Sequence, residues 1–272
     1  MSRVGIIAGE GILPLLIGKS LISKNYSINF FCIKGMVNLI DYRGYDITEI
    51  EINSLTNILN FLKVKNIDEI IMAGKGTRPS IQDINFDLNT ISLIKDFVLE
   101  PKGDDAVLKI ISNFFKKNGY PLFNWKLICN NLFSSEEHLS IFKPTKFAYK
   151  NLKKGLDIFK IIGNADIGQS MIIQNQLILG VESLEGTDEL IKRCSNYRKK
   201  GDRGILLKLG KYNQHNILDL PTIGINTLIN IKEYSYEGIF FERNECIILD
   251  KEKIIDFFKK NNLFFSSTKK IV

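Results

Sequence analysis

In the first half of this 272-residue chain, short apolar runs alternate with amphipathic runs. The apolar runs predict strands and the amphipathic runs predict helices, in the order 4–8, 13–23, 28–33, 55–64 and 69–73. Parallel strands need long crossover connections, which are usually helices. The alternation therefore predicts an α/β domain built on a parallel sheet.

A domain boundary is predicted near the middle of the chain. Residues 102–119 have a helical pattern that Asp104 is placed to cap, and residues 122–129 resemble another strand. The next stretch, 134–146, is polar, contains a proline and has no sustained period, so it predicts a linker. We therefore place the first domain at 1–133 and the second at 147–272.

The second domain is also predicted to be α/β. The expected helices are one at 152–162, one opened by Thr187 and one at 251–261; the expected strands are 170–174, 177–181, 204–209, 238–241 and 246–249. The dipeptide Asn175-Gln176 predicts the turn between the first two strands. The sequence SSTKK near the carboxyl terminus is expected to fray.

The composition is that of a folded protein in a reducing compartment. Hydrophobic residues make up 44% of the chain and charged residues 25%, as in globular proteins. Glu10 interrupts the first apolar run, and no run reaches the roughly 18 apolar residues of a membrane span. The four cysteines stand singly, without the close spacing of zinc sites. These features predict a cytoplasmic protein without structural zinc.

The net charge of +7 favours polyanionic partners. Nucleic acid, nucleotide phosphates and an anionic membrane surface all fit that charge. The chain has no aromatic RNA-binding motif and no dense basic run, which argues against nucleic acid.

A glycine-rich segment, AGEGILP, joins the first predicted strand to the first helix. Gly9 and Gly11 suit a tight turn close to a ligand, whereas Pro14 replaces the third small residue of a dinucleotide fingerprint. Lys34 and Gly35 follow the second strand, where that fingerprint needs an acid. The pattern argues against nicotinamide and flavin cofactors. Two interpretations remain. Either the segment binds a nucleotide phosphate at the helix N-terminus, or its glycines and proline only form the turn.

Charged residues follow the last strand of this sheet and open the next helix. Arg78 comes after the strand at 69–73, at the edge where open α/β sheets bind ligands. Its guanidinium either donates paired hydrogen bonds to a phosphate or a uracil carbonyl, or it is a solvated loop residue. Asp104 and Asp105 either cap the helix or hold a hard cation such as Mg²⁺.

Two polar segments predict a site in the second domain. The first surrounds the predicted hairpin and contains Asp166, Gln169, Glu182, Glu185, Thr187 and Asp188. Capping accounts for Thr187 and Asp188, but it does not account for so many short polar groups beside apolar strands.

The second polar segment is LLKLGKYNQHNILDLPTIG, at 206–224. Lys208 and Lys211 can neutralise the charge of a diphosphate. Gln214 and His215 can hydrogen-bond, although an exposed loop position explains the histidine equally well. Asp219 precedes a Leu-Pro turn and suits either a metal ion or an attacking water.

At these motifs the sequence resembles, over nearly its full length, the LpxI-type UDP-2,3-diacylglucosamine pyrophosphatases of lipid A synthesis. The matching segments are AGEGILP at 8–14, RP at 78–79, GDDAVL at 103–108, ADIGQ at 165–169, EGTD at 185–188 and DLPTIG at 219–224. Six segments in the family's order are more specific than one glycine loop.

The resemblance implies a Rossmann-like amino-terminal domain, an α/β carboxyl-terminal domain and a Mg²⁺-dependent reaction in the cleft between them. It implies that water attacks the phosphorus attached to the sugar, giving UMP and 2,3-diacylglucosamine 1-phosphate. It also implies a homodimer. Asp219 matches the aspartate on which the family's activity depends.

From the residues and the resemblance we predict three groups of site residues. The catalytic group is Asp219, Lys208, Lys211 and Gln214. The substrate-binding group is Gly9, Gly11, Leu13, Pro14, Gly74, Arg78, Gln169, Glu185, Gly186, Thr187 and Thr222. The metal ligands are Asp104, Asp105, Asp166 and Asp219.

The loop before Asp219 departs from the family pattern. Tyr212, His215 and Ile217 stand where the family has a proline, an acid and an arginine. In the family, the acid and the arginine either form an ion pair, which this chain has lost as a unit, or contact the metal or the phosphate. A non-catalytic UDP-sugar-lipid binding protein is therefore the alternative to a hydrolase.

The implied substrate carries two acyl chains, which hold it in a membrane at roughly 0.8 kcal/mol per buried CH₂. The resemblance thus implies transient contact with the cytoplasmic face of the inner membrane. The positive net charge suits that contact.

Overall fold

The computed structural model describes residues 2–52, 54–76, 104–163, 167–211 and 217–269. The chain divides into two compact units, Met1–Cys129 and Asn130–Val272. Both units combine helices with sheets that contain parallel strands, which confirms the predicted α/β fold class. Within the described ranges, no helix is long and apolar enough to cross a bilayer.

The first unit is built on a four-stranded parallel sheet with the order β3-β2-β1-β4. Its strands are β1 (Arg3–Ala8), β2 (Ser27–Ile33), β3 (Ile47–Ile50) and β4 (Glu69–Ala73), and its helices are α1 (Leu13–Ser23), α2 (Leu55–Val64) and α3 (Asp104–Lys117). Phe30 and Phe31 are neighbours on β2, so they face opposite sides of the sheet. Both are fully buried. The sheet is therefore covered on both faces, as parallel sheets normally are.

The strand predicted at 122–129 is wrong. Leu122 makes one isolated bridge to Ile70, and the chain then turns through short 3₁₀ segments at Trp125–Leu127 and Asn130–Leu132. Of the apolar residues that suggested a strand, Trp125 and Cys129 are buried from these turns, whereas Leu127 is 76% exposed.

The second unit contains a five-stranded mixed sheet with the order β11-β9-β7-β5-β6 and a small parallel pair, β8 and β10. The strands are β5 (Ser170–Gln174), β6 (Leu177–Val181), β7 (Ile205–Lys208), β8 (Thr222–Ile223), β9 (Gly238–Glu242), β10 (Ile247–Ile248) and β11 (Phe264–Thr268). The helices are α4 (Lys146–Ile162), α5 (Gly186–Ser195), α6 (Ile225–Glu233) and α7 (Lys251–Lys260). Strands β7, β9 and β11 run parallel, and β5 runs antiparallel to both of its neighbours.

The predicted hairpin between β5 and β6 is confirmed. Asn175 and Gln176 both have positive φ, 52° and 60°, as the central residues of a tight two-residue hairpin turn require. The Asp202 carboxylate accepts from the Asn175 N–H at 2.9 Å and from the Asn151 side chain at 3.1 Å. The turn is therefore fixed to α4 and to the loop before β7.

Helix α4 begins at Lys146, six residues before the predicted start at 152. Thr145 is its N-cap and accepts from the Ala148 N–H at 3.2 Å. The Thr145 hydroxyl also donates to the buried Glu237 carboxylate at 3.1 Å. The cap therefore both starts the helix and ties it to the strand that follows Glu237.

Residues 134–146, predicted as a linker, lie within the second unit. The Leu139 N–H donates to the Phe265 carbonyl, and the Phe265 N–H donates to the Ser140 hydroxyl. The fraying predicted for SSTKK is wrong for residues 266–268, which belong to β11, and Lys270 lies outside the described residues. Ser266 and Ser267 are buried in β11, where the segment before α4 satisfies their hydroxyls.

Candidate functional site

The strand directions of the second unit bring several chain segments to one edge of its sheet. Strands β7 and β9 end at this edge, and β5 begins there because it runs antiparallel to β7. Ser170, the first residue of β5, accordingly pairs with Lys208, the last residue of β7. The Glu182 N–H donates to the Ser170 carbonyl at 2.8 Å, so the end of β6 meets the same edge.

Lys208 is almost buried at this edge, with 5% of its surface exposed. Its Nζ donates to the Thr187 hydroxyl at 2.5 Å. The Thr187 hydroxyl donates to Glu182 Oε1 at 2.8 Å and lies 3.2 Å from the Ser170 hydroxyl. A threonine hydroxyl offers one proton and two lone pairs, and these contacts use all of them. We call Ser170, Glu182, Thr187 and Lys208 the edge cluster.

Glu182 has one atom that the edge cluster does not satisfy. Its Oε2 is buried and has no hydrogen-bond partner within the described part of the chain. Buried polar groups are almost always paired, so an orphaned carboxylate oxygen marks a place where the fold is not optimised for stability. The edge cluster therefore has the character of a functional site.

The predicted role of Thr187 as an N-cap is wrong. The N-cap of α5 is Glu185, which makes no side-chain cap hydrogen bond, and Gly186 starts the helix with φ +79°. This backbone turn puts Thr187 inside the first helical turn, where its hydroxyl points to Lys208. Asp188 does lie in the first turn, as predicted, and accepts from the Thr227 hydroxyl at 3.2 Å.

Gln169 connects Asp219 to the sheet. Its carbonyl accepts from the Leu209 N–H at 2.8 Å, directly after β7, and its side-chain amide donates to the Asp219 carbonyl at 2.7 Å. The Asp219 carboxylate lies 3.5 Å from Lys211 Nζ. The Lys211 side chain is 10% exposed and that of Asp219 is 29% exposed. Asp219 is thus fixed through its backbone and still accessible to a solute.

The segment after Asp219 is held locally. The Thr222 hydroxyl donates to the Leu220 carbonyl at 3.1 Å, across the Leu-Pro turn. Strand β8 then pairs with β10, which places Thr222 opposite Ile247. These contacts brace the carboxyl side of the turn that carries Asp219.

The sequence did not reveal Glu242, the last residue of β9, as a member of this edge. Its side chain is buried, and its Oε2 accepts from the Gly210 N–H at 2.7 Å. Desolvation by burial raises the pKa of Cys246 to about 12, with the nearby Lys208 and Glu242 charges acting in opposite directions. The available signal was an acid at the end of an otherwise apolar strand, GIFFE.

Glu185 forms an ion pair rather than an open site. Its Oε1 accepts from Arg193 at 2.6 and 3.0 Å, and its Oε2 accepts from the Ser183 N–H at 3.1 Å. Desolvation alone would raise the pKa of Glu185, but the hydrogen bonds and the Arg193 charge outweigh it and lower the pKa. Arg193 also donates to the Val181 carbonyl at 2.9 Å, so the pair closes the turn from β6 to α5.

In the first unit, Gly9 and Gly74 are explained by two loops that approach each other. A Cβ on Gly9 would lie 2.5 Å from the Lys75 carbonyl oxygen, and one on Gly74 would lie 2.7 Å from the Gly9 carbonyl. Glu10 and Lys75 exchange two backbone hydrogen bonds of 2.8 Å. The Gly9 N–H donates to the Ala73 carbonyl. The absence of side chains at Gly9 and Gly74 therefore allows the two loop backbones to contact each other, and this holds independently of any ligand.

The N-terminus of α1 is the part of this loop that stays open. Gly11 has φ +100°, and within the described ranges a Cβ there would meet no atom closer than 4 Å. Leu13 is the first helical residue, Pro14 lies in the first turn, and Ile12 supplies no side-chain cap. Unsatisfied N–H groups at a helix start attract anions. The geometry is compatible with the predicted phosphate contact.

The predicted site residues Arg78, Asp166 and Gln214 lie outside the described residues, as do Tyr212 and His215 of the loop that departs from the family pattern. Asp104 and Asp105 open α3, but their side chains lie outside the described part. Within the described ranges, no three His, Cys, Asp or Glu side chains gather into a metal-binding group.

Comparison with known proteins covers both units. Residues 3–132 match the LpxI N-terminal domain model and residues 135–266 match the LpxI C-terminal domain model. A protein of Caulobacter vibrioides named UDP-2,3-diacylglucosamine pyrophosphatase LpxI is 26% identical over 264 residues, which are 94% of this chain and 93% of the relative.

A match to the crystal structure of phosphoribosylglycinamide synthetase from Anaerococcus prevotii covers 73% of this chain and 43% of that chain. Its sequence identity is 12% and its TM-score is 0.26, a likeness too weak for any comparison of folds. The two family models, by contrast, account for nearly every residue and confirm the predicted family. This chain belongs to the LpxI family.

Proposed function

We propose that this protein hydrolyses the diphosphate of UDP-2,3-diacylglucosamine to UMP and 2,3-diacylglucosamine 1-phosphate. The observation that carries the proposal is the Lys211–Asp219 pair, fixed to the sheet edge through Gln169 within the LpxI C-terminal domain match. The name of the Caulobacter vibrioides relative supports the same substrate.

The chemistry assigns different tasks to the two lysines and to Asp219. A diphosphate gains negative charge on its leaving phosphate as the bond breaks, and fixed cations stabilise that charge. Lys208 and Lys211 are suited to this task, because both ammonium groups are held by hydrogen-bonding or charged partners. Asp219 keeps an accessible carboxylate that can accept a proton from water. General base catalysis of this kind contributes about 10²–10⁴-fold.

Magnesium dependence is part of the proposal, with Asp104, Asp105, Asp166 and Asp219 as the ligands. Mg²⁺ takes oxygen ligands and usually binds through one or two carboxylates. Among the described side chains only Asp219 belongs to this set, and Lys211 already shares its carboxylate. The described residues do not make up a magnesium site by themselves, so we assign no step of the reaction to the metal.

The predicted partners complete the proposal. The α1 N-terminus, with Gly11 and Leu13, is suited to the uridine-side phosphate because its N–H groups are uncapped. The proposed substrate is a membrane lipid, so a cytoplasmic enzyme must contact the inner-membrane surface during its cycle. A homodimer is proposed on the family resemblance alone.

The direct test is release of UMP from UDP-2,3-diacylglucosamine by the full-length protein, with Mg²⁺ and then with excess EDTA. The proposal expects UMP with Mg²⁺ and a large loss with EDTA. Saturable binding of the lipid without UMP, in a folded protein, would instead establish the non-catalytic binding protein. UMP release that persists unchanged in EDTA would refute the metal requirement and leave the hydrolysis intact.

A further inference from the structure

An exposed surface at the start of α4 combines lysines with large apolar side chains. Ile141 and Phe142 precede the helix and are 68% and 38% exposed, and Phe147 in its first turn is 48% exposed. Lys143, Lys146 and Lys150 are exposed around them. We call these six residues the α4 patch.

The amphipathic pattern of α4 fixes which side of the helix faces outward. Ala148, Leu152 and Phe159 pack in the core between α4 and the sheet. The opposite face carries the lysines, because residues three and four apart share one side of a helix. The helix has five lysines and one acid, Asp157. Its outer face is therefore strongly basic.

The aromatic ring of Phe147 is held among cations rather than buried. Lys146 Nζ lies 5.3 Å from the centre of the ring and Lys150 Nζ lies 5.9 Å from it. Both distances are within the range of cation–π contact. An apolar ring kept at the surface with flanking ammonium groups matches the composition of helices that bind at bilayer interfaces.

We propose that the α4 patch docks this protein on the surface of an anionic lipid bilayer. The lysines would meet lipid phosphates, and Ile141, Phe142 and Phe147 would enter the interface between headgroups and acyl chains. Each lysine near an anionic leaflet contributes roughly a fivefold gain in affinity. The patch does not depend on the proposed reaction, although a lipid-linked substrate would give it a purpose.

Two other occupants fit the patch less well. In a two-fold contact between copies of this chain, the same patch would face itself, and its lysines would repel one another. A nucleic acid would satisfy the lysines, but Ile141 has no stacking partner on a phosphate backbone. A bilayer surface satisfies both the charges and the aliphatic side chains.

The test is co-sedimentation of the full chain with phosphatidylcholine vesicles, with and without about one-third phosphatidylglycerol, at two salt concentrations. The probes are Lys146→Glu/Lys150→Glu and Phe147→Ser. The matched control is Lys259→Glu/Lys260→Glu, which makes the same change of net charge at exposed lysines ending α7. Thermal unfolding shows whether each variant is folded.

The wild-type protein is expected to bind the anionic vesicles and to release them as salt rises. The double patch variant should lose about twentyfold or more in affinity. The control should lose only about twofold, because distant charges are screened. Phe147→Ser should weaken binding at both salt concentrations.

Three results would overturn the proposal. The first is equal binding to neutral and anionic vesicles, or none to either. The second is the same loss in the α7 control as in the patch variant. The third is a change of oligomeric state, or loss of binding to mixed nucleic acid, in patch variants whose vesicle binding is unchanged. None of these results bears on UMP release, so the proposed reaction is judged separately.

Discussion

Thr187 accepts a hydrogen bond from Lys208 at 2.5 Å and donates its own proton to Glu182 at 2.8 Å. Because the single proton of the hydroxyl goes to the carboxylate, the lone pairs of the oxygen face the ammonium group and Ser170. Thr187 therefore sets the position of Lys208.

Replacing Thr187 by valine should lower kcat for UMP release by about 10- to 100-fold with a smaller effect on KM, because a misplaced charge acts mainly on the transition state. Thr187→Ser should restore most of the rate. Thr145→Val is the matched control, since Thr145 also donates to a glutamate, at 3.1 Å, without touching Lys208. Steady-state kinetics with thermal unfolding separate positioning from stability. A Thr187→Val variant with wild-type kcat would show that the contact is structural only.

Gly168 should not accept even one methyl group. A Cβ there would lie 2.1 Å from the Glu182 carbonyl oxygen, so Gly168→Ala must push apart the segments before β5 and after β6. We expect a loss of about 1–3 kcal/mol in the free energy of unfolding. At Gly76 a Cβ would meet no described atom within 4 Å, so Gly76→Ala should change this free energy by less than about 0.5 kcal/mol. Urea unfolding provides both values, and equal values for the two variants would contradict the expected clash.

The cysteine thiols should resist alkylation in the native protein. Burial raises the pKa of Cys32 and Cys129 to about 11 and that of Cys246 to about 12, and it raises the pKa of Cys194. Thiolates, not thiols, react with iodoacetamide, so little reaction is expected at pH 8. Mass spectrometry should show no label on the native protein and label on all four cysteines in urea. Rapid native labelling at any of them would mean that its burial is transient.

The Glu185–Arg193 pair should make stability depend on acid pH. The pKa of Glu185 is lowered in the folded protein, so the pair contributes fully above the unfolded value, about 4.3, and its contribution is lost as pH falls through the folded pKa. Because Arg193 is 42% exposed, solvent screening limits the ionic part to about 0.5–1 kcal/mol. Urea unfolding of Arg193→Ala should show a deficit at pH 7 that shrinks below the folded pKa.

Lys192→Ala is the control for this pH dependence. Lys192 neighbours Arg193, and its side-chain ammonium makes a solvent-exposed contact of 3.9 Å to Glu189. Its replacement should change the free energy of unfolding by less than about 0.5 kcal/mol at either pH. An Arg193→Ala deficit that stays constant from pH 7 to pH 3 would mean that the bond to the Val181 carbonyl, not the ion pair, carries the effect.

Local patterns were sufficient to predict most elements of the fold. Helices α1 and α2 have the bounds expected from their apolar period, and the β5–β6 hairpin follows from its turn residues. The failures occurred where distant segments decide the structure. Ser266 and Ser267 of β11 looked like a polar tail, but they are buried, and their hydroxyls bond to residues more than a hundred positions earlier.

The candidate site was predictable as a set of residues but not as an arrangement. Lys208, Thr187 and Asp219 stood out as polar groups beside apolar strands. Their contacts join positions far apart in sequence, such as Gln169 and Asp219, which are 50 residues apart. The antiparallel direction of β5 brings its first residue to the edge where β7 ends. Glu242 was missed because it reaches the same edge through β9, whose pairing with β7 could not be predicted from the sequence.

UMP release by Asp219→Asn, compared with wild type under identical Mg²⁺ and lipid concentrations, shows whether the Asp219 carboxylate takes part in the hydrolysis. Asparagine keeps the shape of the side chain but cannot accept a proton from water, so UMP release should fall by about 10²–10⁴-fold while UDP-sugar-lipid binding persists. The control is Asp256→Asn, at an exposed position on α7, which should keep the wild-type rate. An Asp219→Asn variant that releases UMP within about threefold of wild type would contradict the assignment of Asp219 to the reaction.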